Sequence, residues 1–159
     1  MSRLLHRRTG LIAACLVLLV AGCKKGRVEV LSKQLESDKP KVRRQAAREL
    51  RDMGPAARAA VPSLAKALKD DDPRVRRNAA QALRDMGAGA RDAVGALAEA
   101  LKDTDPQIRQ IAANALRKIG PDAREAIPAL TDAAKDPVPE VRAAAELALK
   151  KIDRKPRNR

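Results

Sequence analysis

Phenylalanine, tyrosine and tryptophan are absent from all 159 residues. Aromatic rings are the rigid anchors of most interfaces and the platforms on which bases and flat cofactors stack, so several classes of binding function weaken at once. Recognition must rest on arginine, leucine and backbone. Histidine occurs once, at His6, and cysteine twice, at Cys15 and Cys23. Charge of one sign is scarce: 20 Asp and Glu stand against 34 Lys and Arg, a net +14. No apolar run reaches the roughly 20 residues of a membrane-spanning helix. The length suits one domain, and no shift in composition divides it.

The first residues read as an export signal. "MSRLLHRRTGLIAACLVLLVAGCKKG" has a basic start (Arg3, Arg7, Arg8), an apolar run from Leu11 to Val20 and small residues before a cysteine. "LVAGC", Leu19 to Cys23, resembles the lipobox of bacterial lipoproteins, in which the cysteine is diacylated at sulfur and becomes residue one after cleavage. That resemblance makes Cys23 the lipid carrier. "LIAAC" offers Cys15 as a rival, but cleavage there leaves an apolar core of about four residues where 7 to 15 are usual. Arg7 and Arg8 also raise twin-arginine export, although "HRRTGLI" matches it poorly beyond the pair. With Cys15 removed and Cys23 acylated, no free thiol is left for disulfides or thiol chemistry. Loss of residues 1–22, with three arginines, leaves a net +11. Acyl chains at ~0.8 kcal/mol per buried methylene anchor such a chain durably.

The remainder is repetitive. Rows of 33 residues starting at Val28, Val61, Val94 and Ile127 align without an insertion. Pro40, Pro73, Pro106 and Pro139 share a column, as do Val42, Val75, Ile108 and Val141, and Leu50, Leu83, Leu116 and Leu149. Self-similarity at this period signals a solenoid. Each row holds two helical patterns: Val61, Leu64 and Leu68, extended backwards by Ala57 and Ala60, then Val75, Ala79, Leu83 and Met86. Asp72 is placed to cap the second helix, Pro73 to occupy its first turn, and Gly87 to end it in the left-handed conformation. Asp105, Pro106 and Gly120 repeat the device. Helices of two to four turns are marginal alone, so stacking must bury their stripes.

"DDDPRVRRNAAQALRDMG" and "DTDPQIRQIAANALRKIG" resemble HEAT repeats, particularly the short HEAT-like type first described in phycobilin lyases, over about Val28 to Ile152. The resemblance implies an all-α solenoid of four 33-residue helix pairs, in rows 28–60, 61–93, 94–126 and 127–152. The organisation expected is a signal peptide over 1–22, a lipidated cysteine and linker over 23–27, the solenoid over 28–152 and a disordered basic tail over 153–159. In the family a turn aspartate pairs along the stack with the arginine six residues on. Asp70 with Arg76, Asp103 with Arg109, and Asp136 with Arg142 fit that spacing; the first row offers Ser37 with Arg43.

The family also includes enzymes. Its metal-dependent hydroxylases hold iron through His–Glu pairs, and the one histidine here, His6, leaves with the signal. Phycobilin lyases grip a tetrapyrrole, for which this chain has no aromatic, mature histidine or free cysteine. A serine nucleophile has no histidine base. Asp70, Asp71 and Asp72 lack the spread oxygen ligands and turn glycine of a calcium loop, and are better read as caps and ladder. No catalytic residue, metal or cofactor is expected.

What remains is surface. Opposite the apolar stripe of the second helices, 100° per residue exposes Lys41, Arg44, Arg48 and Arg51 in row one and Arg74, Arg77, Gln81 and Arg84 in row two. Row three follows with Gln107, Gln110, Asn114 and Arg117, and row four with Glu140, Ala143, Leu147 and Lys150. Second helices line the concave side of HEAT solenoids, so the resemblance implies a groove with its basic end near the anchor. The partner-binding residues expected are Lys41, Arg44, Arg48, Arg51, Arg74, Arg77, Arg84 and Arg117. A solvated arginine-rich face is the alternative. The last row has Ala144 and Leu147 where row one has Gln45 and Arg48, so its end is expected to dock a partner or a second copy.

These features favour a lipid-anchored scaffold of the bacterial cell envelope that binds an acidic envelope protein. Lys24 after the cysteine resembles sorting to the outer membrane, facing the periplasm, where one exists. Anionic lipid or another polyanion is the competing ligand, whereas export disfavours nucleic acid. A HEAT-like enzyme subunit is the third class.

Overall fold

The computed structural model describes residues 26–153. Residues 1–25, which hold the expected signal peptide and Cys23, and residues 154–159 of the expected tail lie outside them. Helices are the only regular elements described: α1 (26–34), α2 (Pro40–Met53), α3 (Val61–Ala67), α4 (Pro73–Met86), α5 (Val94–Ala100), α6 (Pro106–Ile119), α7 (Ile127–Ala133) and α8 (Pro139–Ile152). The long helices α2, α4, α6 and α8 begin 33 residues apart.

Local chemistry sets the boundaries. A proline opens each long helix where its missing N–H costs nothing. The Asp72 and Asp105 side chains accept from the backbone N–H of Arg74 and Gln107. Lys39 and Val138, at the same positions of rows one and four, supply no such cap. At the other end Gly87 has φ 53°, ψ −129° and Gly120 has φ 77°, ψ −137°. This corrects the expected left-handed helical cap: φ is positive, but ψ lies in the region open essentially to glycine alone. A more abrupt reversal results.

The stretch before each short helix also differs from expectation. Gly54–Ala60, Gly87–Ala93 and Gly120–Ala126 are 3-10 turns, not early α-helix. Ala90 and Ala123 leave helical geometry within them. Ala57 and Ala60 are nevertheless fully buried, so the stripe survives the change of winding.

Packing follows the columns. Leu50, Leu64, Leu83, Leu97, Leu116 and Leu130 are completely buried, with Val75, Ile108 and Val141 at the starts of their helices. Leu149 is half-buried beside Ile127. Paired alanines such as Ala79–Ala80 and Ala112–Ala113 let neighbouring long helices approach closely. The long helices pack directly on one another, while α3, α5 and α7 touch one another lightly. Among the described residues no polar or charged residue is buried as a whole, and the most shielded charged side chains are those of the seam aspartates.

Candidate functional site

Polar chemistry in this molecule is confined to the row-to-row seams and the surface. At the first seam, Arg43 Nε and Nη2 donate to Asp70 Oδ2 and Oδ1 at 2.6 and 2.9 Å. Arg76 makes the same fork to Asp103, and Arg109 to Asp136. The third donor, Nη1, turns back to the carbonyl six residues earlier: Ser37 for Arg43, Asp70 for Arg76, Asp103 for Arg109 and Asp136 for Arg142. The carboxylate partner therefore lies 27 residues on, in the next row. Asp70 and Arg76 meet only through a backbone carbonyl, as do Asp103 with Arg109 and Asp136 with Arg142. The physical reason is reach. Each aspartate already folds over its own turn, Asp70 Oδ1 accepting the Asp72 N–H at 2.9 Å, so its remaining lone pairs face the preceding row.

These pairs are shielded. Arg43 and Asp70 side chains keep 15% and 8% of their surface exposed. Hydrogen bonds donated to the partner carboxylates hold the Arg43, Arg76 and Arg109 guanidinium groups above their usual pKa, against desolvation. Arg109 in turn holds the Asp136 carboxyl below the ordinary carboxylate range, with the Val138 N–H adding to it.

A second ladder uses residues expected to be free for a partner. Arg44 lies 3.1 Å from Asp72, and Arg77 Nη2 donates to Asp105 at 2.7 Å. That bond holds the Asp105 carboxyl below its ordinary pKa, supported by the Gln107 N–H. Arg51 Nη1 donates to Asn78 and Gln81 across the seam while its Nη2 donates to Asp52. Arg84 pairs with Asp85. Arg44, Arg51, Arg77 and Arg84 thus carry structural contacts, and Gln81 is an acceptor.

Further cations of the long helices line two depressions. One, of about 380 Å³, is lined by Lys41, Arg44, Arg48 and Arg74 with Gln45 and Asn78. Lys41 and Arg74 are exposed and carry no ion pair, and Arg48 has only a 3.9 Å contact with Asp52. The other, of about 480 Å³ between α6 and α8, is lined by Arg117, Lys118, Leu147, Lys150 and Lys151. Lys118 and Lys151 escaped the sequence reading, yet their column carries the signal: Asp52, Asp85, Lys118, Lys151. The gradient of free charge expected from the anchor-proximal end is not found. Most arginines of the first two rows are occupied, and four cations stand together at the far end.

No group of side chains suited to holding a metal ion occurs among the described residues, and no described helix is long and apolar enough to cross a membrane. The HEAT-repeat profile matches residues 28–91 and 87–150. The chain belongs to the HEAT-repeat family. No curated protein matches it. Among solved structures, this HEAT-repeat chain is similar to an engineered protein at 27% identity and a TM-score of 0.66, over 79% of this chain and 62% of that one. A designed armadillo repeat protein in complex with the peptide (KR)4 matches at 19% identity and TM-score 0.68, over 77% and 63%. The CpcE–CpcF complex of phycocyanin lyase from Nostoc sp. PCC7120 matches at 24% identity and TM-score 0.51, over 79% and 65%. The last two likenesses concern the fold alone. The chain spans less than two thirds of the length of each. Its fold is a repeat scaffold suited to protein interaction.

Proposed function

We propose that this HEAT-repeat chain is a non-enzymatic scaffold, tethered to a bacterial envelope membrane through acylated Cys23, that presents the face of its long helices to an acidic protein partner. The observation that carries the reading is the split among its arginines. Those of both ladders are spent on holding rows together, while Lys41, Arg48, Arg74 and Arg117 project from the same face with no strong acceptor of their own. Charges so placed steer an acidic partner and fix its register. The apolar core favours a scaffold over an enzyme, because the perturbed carboxylates here, Asp105 and Asp136, are committed to inter-row arginines and not left to act on a substrate. In the designed armadillo neighbour the bound peptide is basic; a cationic face calls for the opposite sign.

Two experiments test the two halves. Palmitate incorporation in cells should vanish in Cys23→Ala; retained label would remove the anchor. Partners cross-linked to the wild-type chain in its own envelope should be lost when Lys41, Arg48, Arg74 and Arg117 are together reversed to Glu. Persistence of every cross-link after reversal would rule this face out. Arg44 and Arg77 are left out of the set because reversing them breaks the second ladder.

A further inference from the structure

The depression between α6 and α8 differs from its counterparts at the two earlier seams, and the difference lies in three columns. At the α2/α4 seam Arg51 is neutralised by Asp52 and satisfied by Asn78 and Gln81. At the α4/α6 seam the across-seam residues are Ile111 and Asn114, and Arg84 turns to Asp85. At the α6/α8 seam they become Ala144 and Leu147, and the neighbouring acid becomes Lys118. Every group that served the arginine of this column has been replaced. Arg117 therefore stands without an acceptor beside Lys118, Lys150 and Lys151, around a leucine 49% exposed. Lys118 keeps only a 3.6 Å contact with Asp85.

Resting on the scaffold reading above, we propose that this depression is the docking site of an acidic segment of a partner protein, one that sets an aliphatic side chain on Leu147 and carboxylates on the surrounding cations. The volume, about 480 Å³, accommodates an aliphatic side chain and its flanks. Arg117 supplies a bidentate fork for one carboxylate, and Lys150 and Lys151 supply point charges for others. Leucine in place of the polar Gln81 and Asn114 removes hydrogen-bonding groups and leaves an apolar contact, so a purely charged polymer satisfies half of the site. The segment is recognised by the combination.

The test uses the full chain and three labelled peptides read by fluorescence anisotropy: Ac-EELLEE, Ac-EEGGEE and Ac-QQLLQQ. Ac-EELLEE should bind at least about 10-fold more tightly than either of the others, because each lacks one of the two contacts. Lys150→Glu with Lys151→Glu, and separately Leu147→Ser, should each weaken it at least about 5-fold, whereas Lys102→Glu, exposed and outside both depressions, should leave it within about 2-fold. All these positions are surface ones, and an unchanged helical CD spectrum certifies the fold. Loss of binding in Arg74→Glu alone would overturn this site in favour of the first depression and leave the scaffold reading intact. Equal binding of Ac-EEGGEE, or no peptide binding, would overturn it outright. So would concentration-dependent self-association abolished by Leu147→Ser, which makes a second copy the occupant, or binding confined to phosphatidylglycerol vesicles. Should the peptide bind as expected while every envelope cross-link survives the combined reversal of Lys41, Arg48 and Arg74, none of which lines the pocket, the pocket stands and the broader face falls.

Discussion

Arg77 and Asp105 join two rows through one carboxylate that also starts a helix: Asp105 Oδ2 accepts from Arg77 Nη2 at 2.7 Å while Oδ1 accepts from the Gln107 N–H at 2.8 Å. A single side chain thus ties row to row and caps the helix that the next seam is built on. Asp72 does the same for Arg44 and Arg74.

The seam after it lacks both partners. Gln110 occupies the column of Arg44 and Arg77, and Val138 that of Asp72 and Asp105. Gln110→Arg combined with Val138→Asp should raise stability by about 1 kcal/mol, the sum of a new cap and a partly shielded pair. Urea denaturation of the double and both single variants checks it, and the double should exceed the sum of the singles.

Breaking a rung of the first ladder acts in the opposite direction. Asp103→Ala strands the Arg76 fork and the Asp105 N–H that Asp103 accepts, and should cost roughly 1–2 kcal/mol. Asp71→Ala, an exposed neighbour in the preceding turn, should change the denaturation midpoint little.

Acid should loosen the stack over a defined window. Asp105 and Asp136 have folded pKa values below the ordinary carboxylate value of about 3.9. Between the folded and ordinary values the unfolded chain binds more protons, so stability rises with pH there and is fully present above it. Melting temperature should be flat from neutral pH down to about 5 and fall progressively below it, Glu49 beside Arg27 adding to the upper part of the fall. Asp136→Asn should reduce the steepness of that fall.

Gly87→Ala should cost about 1–3 kcal/mol because φ of 53° with ψ of −129° is a conformation alanine adopts only under strain. The space around it is open, its nearest neighbour being the Lys118 carbonyl at 3.8 Å, so the cost is in the backbone and not in a clash. Gly89→Ala, two residues on with an ordinary φ, is the control and should be neutral or mildly stabilising.

Leu83→Ala, at a fully buried site in α4, should cost about 2–5 kcal/mol by opening a cavity between rows. Thermal unfolding of the purified chain reads it directly.

Much of this architecture is legible in the sequence because its punctuation is local. Pro73, Gly87 and their counterparts at 33-residue spacing mark helix ends whatever the rows do to one another. Inter-row partnership is harder to read, since an arginine six residues after its own row's aspartate and 27 before the next row's sits in the same column either way. Ser37 carries a hint: row one keeps Arg43 while lacking the acid, so the carboxylate of Arg43 must come from another row. The free cationic site was hidden differently. Counting positive charges on an exposed face overlooks that Arg44, Arg51 and Arg77 have acceptors on the adjacent helix, and that Lys118 sits where earlier rows have Asp52 and Asp85.

The gap left by Gln110 and Val138 has a mechanical meaning. In a linear array each boundary opens according to its own strength, so the last helix pair, held by one rung where its predecessors are held by two, should be the leaf that peels first in native-state amide exchange. The depression around Leu147 straddles that boundary. A segment bound there would clasp the leaf shut, and its arrival should register as slowed amide exchange along the whole of α8, beyond the turns around Leu147 that it touches.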